Sequence, residues 1–141
     1  MKQILFALLI CMAVTNCFGQ STTQDKEKIV MAFYSGFQNH NWNTVRSQFA
    51  DDFTFSSAAG DNHIPIKTFH ERCWPTNKSF KTVRFLKWAD GGDKLFLIVE
   101  MTTTDHKLIR NVDVYTFKGG KMESMDCYFG SGGGYPGNGK K

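Results

Sequence analysis

No apolar run in this 141-residue chain is long enough to cross a bilayer. The longest, Ile4 to Val14, is 11 residues, where a spanning helix needs about 20. Stable membrane insertion is therefore not expected. Basic residues are scattered rather than clustered, and no recognised nucleic-acid signature occurs, so nucleic acid is not an expected partner. No serine-hydrolase or cysteine-protease motif surrounds Ser57 or Cys127, which removes the simplest nucleophile readings. His70 and Cys73 stand one helical turn apart with His63 nearby, but no second ligand pair completes a metal site. No metal or other cofactor is expected. Internal repeats are absent.

What is present begins with Lys2 ahead of the short apolar run, then Cys17-Phe18-Gly19 before Gln20, which reads as an export signal over residues 1–19. The expected location is periplasmic or secreted. Lipid attachment at Cys11 or Cys17 is disfavoured, because bacterial lipoprotein signals want a small residue where Ile10 and Asn16 stand. About 120 residues remain, enough for one hydrophobic core and too few for two ordinary domains. One domain is assigned to 20–130, and the glycine-rich stretch 131–141 is expected to lack fixed structure. The formal charge of +4 includes Lys2, so cleavage leaves 16 basic against 13 acidic residues, or +3. Two cysteines also remain, Cys73 and Cys127. They form either one disulfide, worth about 4 kcal/mol in the chain-entropy model, or two unpaired thiols.

Aromatic residues are plentiful, with 13 Phe, 4 Tyr and 3 Trp, which favours a sheet-rich interior or an aromatic-lined cavity over a helical bundle. Ile29, Val30, Phe33, Tyr34 and Phe37 recur at three- and four-residue spacing and predict an amphipathic helix over Thr23–Asn39. Trp42, Val45, Arg46 and Phe49 predict a shorter helix that stops before Asp51-Asp52. A short strand at Phe53–Phe55, a loop at Ser56–Asn62 and a third helix at Ile66–Trp74, ended with the help of Pro75, follow. Trp42 and Trp74 fit either the core or the rim of a pocket. Four strands come next: Phe80–Ala89, Lys94–Thr103, Lys107–Phe117 and Lys121–Phe129. Leu95–Val99 is apolar at every position and predicts a central strand covered on both faces. Helices followed by a meander give an α+β fold, in which N-terminal helices pack on one face of a curved antiparallel sheet and enclose a pocket.

One acidic residue interrupts the last hairpin. Alternation puts Asn111, Asp113, Tyr115 and Phe117 on one side of their strand and Arg110, Val112, Val114 and Thr116 on the other. Asp113 thus lies among aromatics, where desolvation raises a carboxyl pKa and makes it useful for acid–base work. The same position also suits a structural carboxylate satisfied by a neighbouring tyrosine, amide or base.

The element order, Phe49-Ala50-Asp51-Asp52 before a short strand, and Val112–Phe117 with Gly120-Lys121-Met122 and Tyr128-Phe129 resemble the NTF2-like superfamily and its SnoaL-like and ketosteroid isomerase-like branches. The resemblance covers about Asp25–Phe129. It implies the cone fold, and it sets Asp113 on the strand position where those isomerases keep a neutral aspartic acid as an oxyanion partner. Their helical tyrosine and their carboxylate base match Phe33 and Ser57 instead, so two of three catalytic groups are replaced. A one-residue offset turns a helix by about 100 degrees, which sets Tyr34 out of line. Comparison with limonene epoxide hydrolases of the same superfamily places Cys127 where their last-strand acid stands, while Asp126 points to the opposite face. The implied pocket is lined by Phe33, Phe37, Phe55, Ser57, Asn111, Tyr115, Met125, Cys127 and Phe129 around Asp113. The expected function is binding of a small hydrophobic molecule with Asp113 as polar anchor. The alternative is metal-free isomerase, cyclase or hydrolase chemistry with Asp113 as the catalytic acid, base or oxyanion partner. Relatives of this fold commonly pair through the sheet, which implies a homodimer.

Overall fold

The expected apolar stripe becomes helix α1, Thr23–Gln38, in the computed structural model, which describes residues 22–131. The export signal assigned to 1–19 and the tail from 132 onward lie outside the described residues. Thr22 caps α1 by accepting a hydrogen bond from the Asp25 N–H. Val30, Phe33, Tyr34 and Phe37 form its buried face. Helix α2, Trp42–Ser47, starts at an Asn41 cap and packs closely on α1. Gly36 permits that approach, since a Cβ there would sit 2.9 Å from Val45 Cγ2. Among the described residues, no helix is long and apolar enough to cross a membrane.

Strand β1 spans Phe49–Ser57, longer than expected at its start, and Phe49 opens the strand rather than closing the helix. Asp51 and Asp52 therefore do not terminate a helix. They sit in an irregular part of the β1–β6 pairing, facing solvent, where Arg46 pairs with Asp51 and Lys118 with Asp52. The expected loop at 56–62 contains the end of β1 and the start of a further strand, β2, Asp61–Pro65, after a tight turn with Gly60 at positive φ. Helix α3, Ile66–Arg72, precedes a 3-10 turn, Trp74–Ser79. Pro75 sits at the first turn of that segment, where its missing N–H is not needed. Strands β3 (Phe80–Asp90), β4 (Lys94–Thr103), β5 (Leu108–Lys118) and β6 (Lys121–Ser131) form the meander. Gly119 and Gly120, both at positive φ, supply the two-residue turn between β5 and β6.

The sheet order is β2-β1-β6-β5-β4-β3, curved and not closed. It is mixed rather than antiparallel throughout, because β1 runs parallel to β6. A parallel pair needs a crossover connection, and here β2, α3 and strands β3 to β5 lie between β1 and β6 in the chain. Register shifts in β3 and β1 mark bulges, which bend strands and increase twist. The expectation that Leu95–Val99 is covered on both faces is not met. Leu95, Leu97 and Val99 are buried while Phe96 is exposed, because β4 lies next to the edge strand and only its concave face carries helices. Lys26 ties the helical layer down, pairing with Asp90 at 3.1 Å and donating to the Gly92 carbonyl across the β3–β4 turn.

Aromatic rings fill one end of the interior. Phe49 and Phe53 stack at 3.8 Å, and Phe69 meets both edge-on. Trp42 packs on Phe49, His70 and Trp74, and Trp74 on Phe37. Both tryptophans thus serve the core. His40 and His106 occupy left-handed turn positions, His63 takes a positive φ within β2, and His70 is a stacking partner.

Candidate functional site

The other end of the interior is open. A cavity of about 580 Å³ lies between the concave face of the sheet and helices α1 and α3 with the 3-10 turn. Phe33, Phe37, Phe55, Ser57, Asn111, Asp113, Met125, Cys127 and Phe129 line it. Tyr115 does not: it is fully buried behind Asp113 and touches the carboxyl rather than the cavity. Phe129 is half exposed at the mouth.

Asp113 is 0% exposed. Two hydroxyls converge on its Oδ2: Tyr34, from α1, donates a short hydrogen bond, and Tyr115, two residues along β5, donates at 3.2 Å. The two tyrosine oxygens are 3.4 Å apart. Oδ1 of Asp113 is buried with no hydrogen-bond partner, and the weakly donating Cys127 thiol is the remaining polar group against the carboxyl. Burial pushes the Asp113 pKa up, since a charged carboxylate loses its hydration there, and the Cys127 thiol and the two tyrosines only partly oppose this. The hydroxyls of Tyr34 and Tyr115 are raised well above their ordinary value, first by burial and then by the neighbouring Asp113, so they remain donors.

Tyr34 is the residue the sequence reading set aside. A buried stripe on a helix is wide enough to hold positions i and i+1 when both lie near its centre. Phe33 and Tyr34 are therefore both buried and diverge, Phe33 toward Phe37 and Phe49, Tyr34 toward Phe85 and Asp113. The helical hydroxyl is thus present, one residue later than expected.

Asn111 lies beside this group but does not bond Asp113. Its Nδ2 donates to Cys127 Sγ at 3.3 Å, and its Oδ1 accepts from the Gly130 N–H at 3.4 Å. Cys73 and Cys127 are free thiols and both line the cavity. Burial pushes Cys73 up to about 11, and it pushes Cys127 up as well, so neither favours the reactive thiolate.

Three polar residues absent from the sequence reading, Asp61, Arg72 and Thr76, complete the wall. Asp61, the first residue of β2, accepts from the Ser57 hydroxyl at 2.7 Å, and Arg72, at the end of α3, pairs with it at 3.0 Å. The polar string Asp61-Asn62-His63 after Gly60 has a loop's composition, so the sequence alone gives Asp61 no face. Once β2 is recognised, its register opposite Ser57 places it in the cavity.

Residues 30–125 match the family model for the SnoaL-like domain. None of the curated proteins matches the sequence. Among solved structures, an NTF2-like protein of unknown function from Cytophaga hutchinsonii is 19% identical with a TM-score of 0.62, covering 79% of this chain and 94% of that one. An NTF-2 like protein of unknown function from Burkholderia xenovorans is 11% identical, with a TM-score of 0.65 and coverage of 81% and 89%. An LEH-like epoxide hydrolase from M. tuberculosis is 15% identical, with a TM-score of 0.61 and coverage of 76% and 84%. At such identities the likeness is one of fold. The family match spans well over half of the sequence and the curved mixed sheet agrees with it, so the chain belongs to the SnoaL-like family within the NTF2-like superfamily.

Proposed function

We propose that this is an exported binding protein for a small, largely apolar molecule with one hydrogen-bond-accepting oxygen, for which Asp113 is the polar anchor. The observation that carries the reading is the split in the Asp113 carboxyl. Its Oδ2 already accepts from Tyr34 and Tyr115, while its buried Oδ1 has no partner and belongs to a cavity-lining residue. Desolvation favours the neutral acid, and a proton on Oδ1 turns that atom into a donor for a ligand carbonyl. Phe33, Phe37, Phe55 and Met125 supply the apolar contact. Export rests on the N-terminal apolar run alone.

Calorimetric titration of the purified domain with hydrophobic ketones and lactones tests this reading. Asp113→Asn imitates the neutral acid and retains binding, whereas Asp113→Leu loses at least tenfold in affinity, about 1.4 kcal/mol. Equal affinity in all three proteins would remove Asp113 from the site.

A second reading, acid–base chemistry of isomerase, cyclase or hydrolase type, gains from the Tyr34–Asp113 pair. It predicts turnover of the same compounds that Asp113→Asn abolishes while binding survives. We also propose a homodimer through the convex face of the sheet, where Phe96, Val112 and the 60% exposed Tyr128 form an uncovered apolar strip across β4, β5 and β6. Sedimentation analysis of wild type and Val112→Glu tests it: the wild type sediments as a dimer and the variant as a monomer.

A further inference from the structure

Four strands carry a row of cavity-lining polar residues in direct register. Asp61 of β2 lies opposite Ser57 of β1, Ser57 opposite Cys127 of β6, and Cys127 opposite Asp113 of β5. Strands are about 4.8 Å apart, so the two carboxyls stand about 14 Å apart along the sheet, less across its concave side. The row begins and ends in an aspartate.

The ends differ in chemistry. Asp61 has a side chain only 5% exposed, yet it faces the Arg72 guanidinium, which is 55% exposed. Arg72 Nη2 is 3.0 Å from Asp61 Oδ1, but no N–H is aimed at that oxygen, which has no hydrogen-bond partner. Ser57 occupies the other oxygen, Oδ2. Asp61 is thus ion-paired to Arg72 through a buried oxygen, Oδ1, that still lacks a directed hydrogen bond. Asp113 is a carboxyl whose surroundings exclude charge, with one buried oxygen left over. Buried polar atoms are rarely left without a partner, and two on the walls of a single cavity mark where a ligand supplies the missing ones.

We infer that the cavity is built for a ligand with two oxygen functions on one apolar body: a carbonyl that accepts from Asp113, and a hydroxyl that donates to Asp61. The inference rests on the proposed role of Asp113 and adds the second pole. A plain ketone satisfies one end only.

The test is calorimetric and compares straight-chain methyl ketones with their ω-hydroxylated counterparts in a series of chain lengths. In wild type, the hydroxylated compound binds about tenfold more tightly at the chain length that spans the row, because the hydrogen bond to a carboxylate exceeds the hydroxyl's desolvation cost. In Asp61→Leu that ratio falls to one or below. Equal affinities across the whole series in wild type, or a ratio that persists in Asp61→Leu, would overturn the second pole while leaving the Asp113 anchor intact. Failure of both compound types to bind wild type would instead remove the anchor, and the second pole with it. The wild-type series stands even where Asp61→Leu does not fold.

Discussion

Asp113 and Asp61 are the same residue type on the same face of one sheet, and their surroundings give them opposite properties. Asp113 is enclosed by aromatic rings, two tyrosine hydroxyls and a thiol, with no ion pair to a cation among the described residues, so burial outweighs the hydrogen bonds that favour its charged form. Asp61 is nearly as buried, but α3 ends in Arg72 beside it. A guanidinium at hydrogen-bonding distance compensates the charge that the interior penalises. One cavity thereby holds two carboxyl groups in opposite electrostatic settings, and the proposed two-oxygen ligand uses that difference.

The largest way to break this contrast is Asp113→Leu, which strands the Tyr34 and Tyr115 hydroxyls in the core. It should cost about 2–4 kcal/mol in urea unfolding. A loss under about 1 kcal/mol would mean the hydroxyls have other partners. Asp113→Asn sharpens the contrast through pH. The native state holds the Asp113 proton to higher pH than the unfolded chain, whose value is near 3.8. The native state therefore binds more protons in that window, and wild-type stability falls as pH rises from about 4 to the raised native value, by up to about 1.4 kcal/mol per unit. Asp113→Asn lacks that slope, so its stability relative to wild type grows with pH. Parallel curves for the two proteins would show an ordinary, charged Asp113.

Tyr34→Phe is a smaller change. It removes one donor from Oδ2 and should cost about 1 kcal/mol, while shifting the Asp113 transition further upward, because the hydrogen bond from Tyr34 lowers that pKa. The smallest effect belongs to the other pole. Arg72→Met exposes Asp61 to burial without compensation, yet Arg72 is half exposed and screened, so the expected loss is about 0.5–1 kcal/mol and declines with salt. A cost exceeding that of Asp113→Leu would invert the comparison.

The two poles also differ in how far the sequence revealed them. The strand holding Asp113 alternates cleanly, so its face could be read from period two, and Asn111, Asp113 and Tyr115 are all buried on that side. Asp61 sits in Asp61-Asn62-His63, a polar string flanked by Gly60 that resembles a loop until pairing with β1 supplies its partner. Pairing is non-local, and single-sequence patterns carry little of it. The same cause explains the parallel β1–β6 contact, which joins residues about 70 positions apart in sequence. Tyr34 was visible but was discounted on a helical-wheel argument that treated the buried stripe as one residue wide. Phe96 erred in the other direction: an unbroken apolar run looked buried on both sides, although the second face carries no helix. That exposed face is where the dimer is proposed.

The contrast rests on Asp113 being a carboxyl that burial holds above the ordinary aspartate value, so that it keeps its proton to higher pH than a solvated aspartate. A pH titration of the aspartate side-chain carboxyl carbons by NMR, with the Asp113 resonance assigned by its loss in Asp113→Asn, tests this directly. The expected result is a transition of the Asp113 carboxyl above the ordinary aspartate value in the ligand-free protein. A transition for that resonance at or below the ordinary aspartate value, near 3.8, would contradict it.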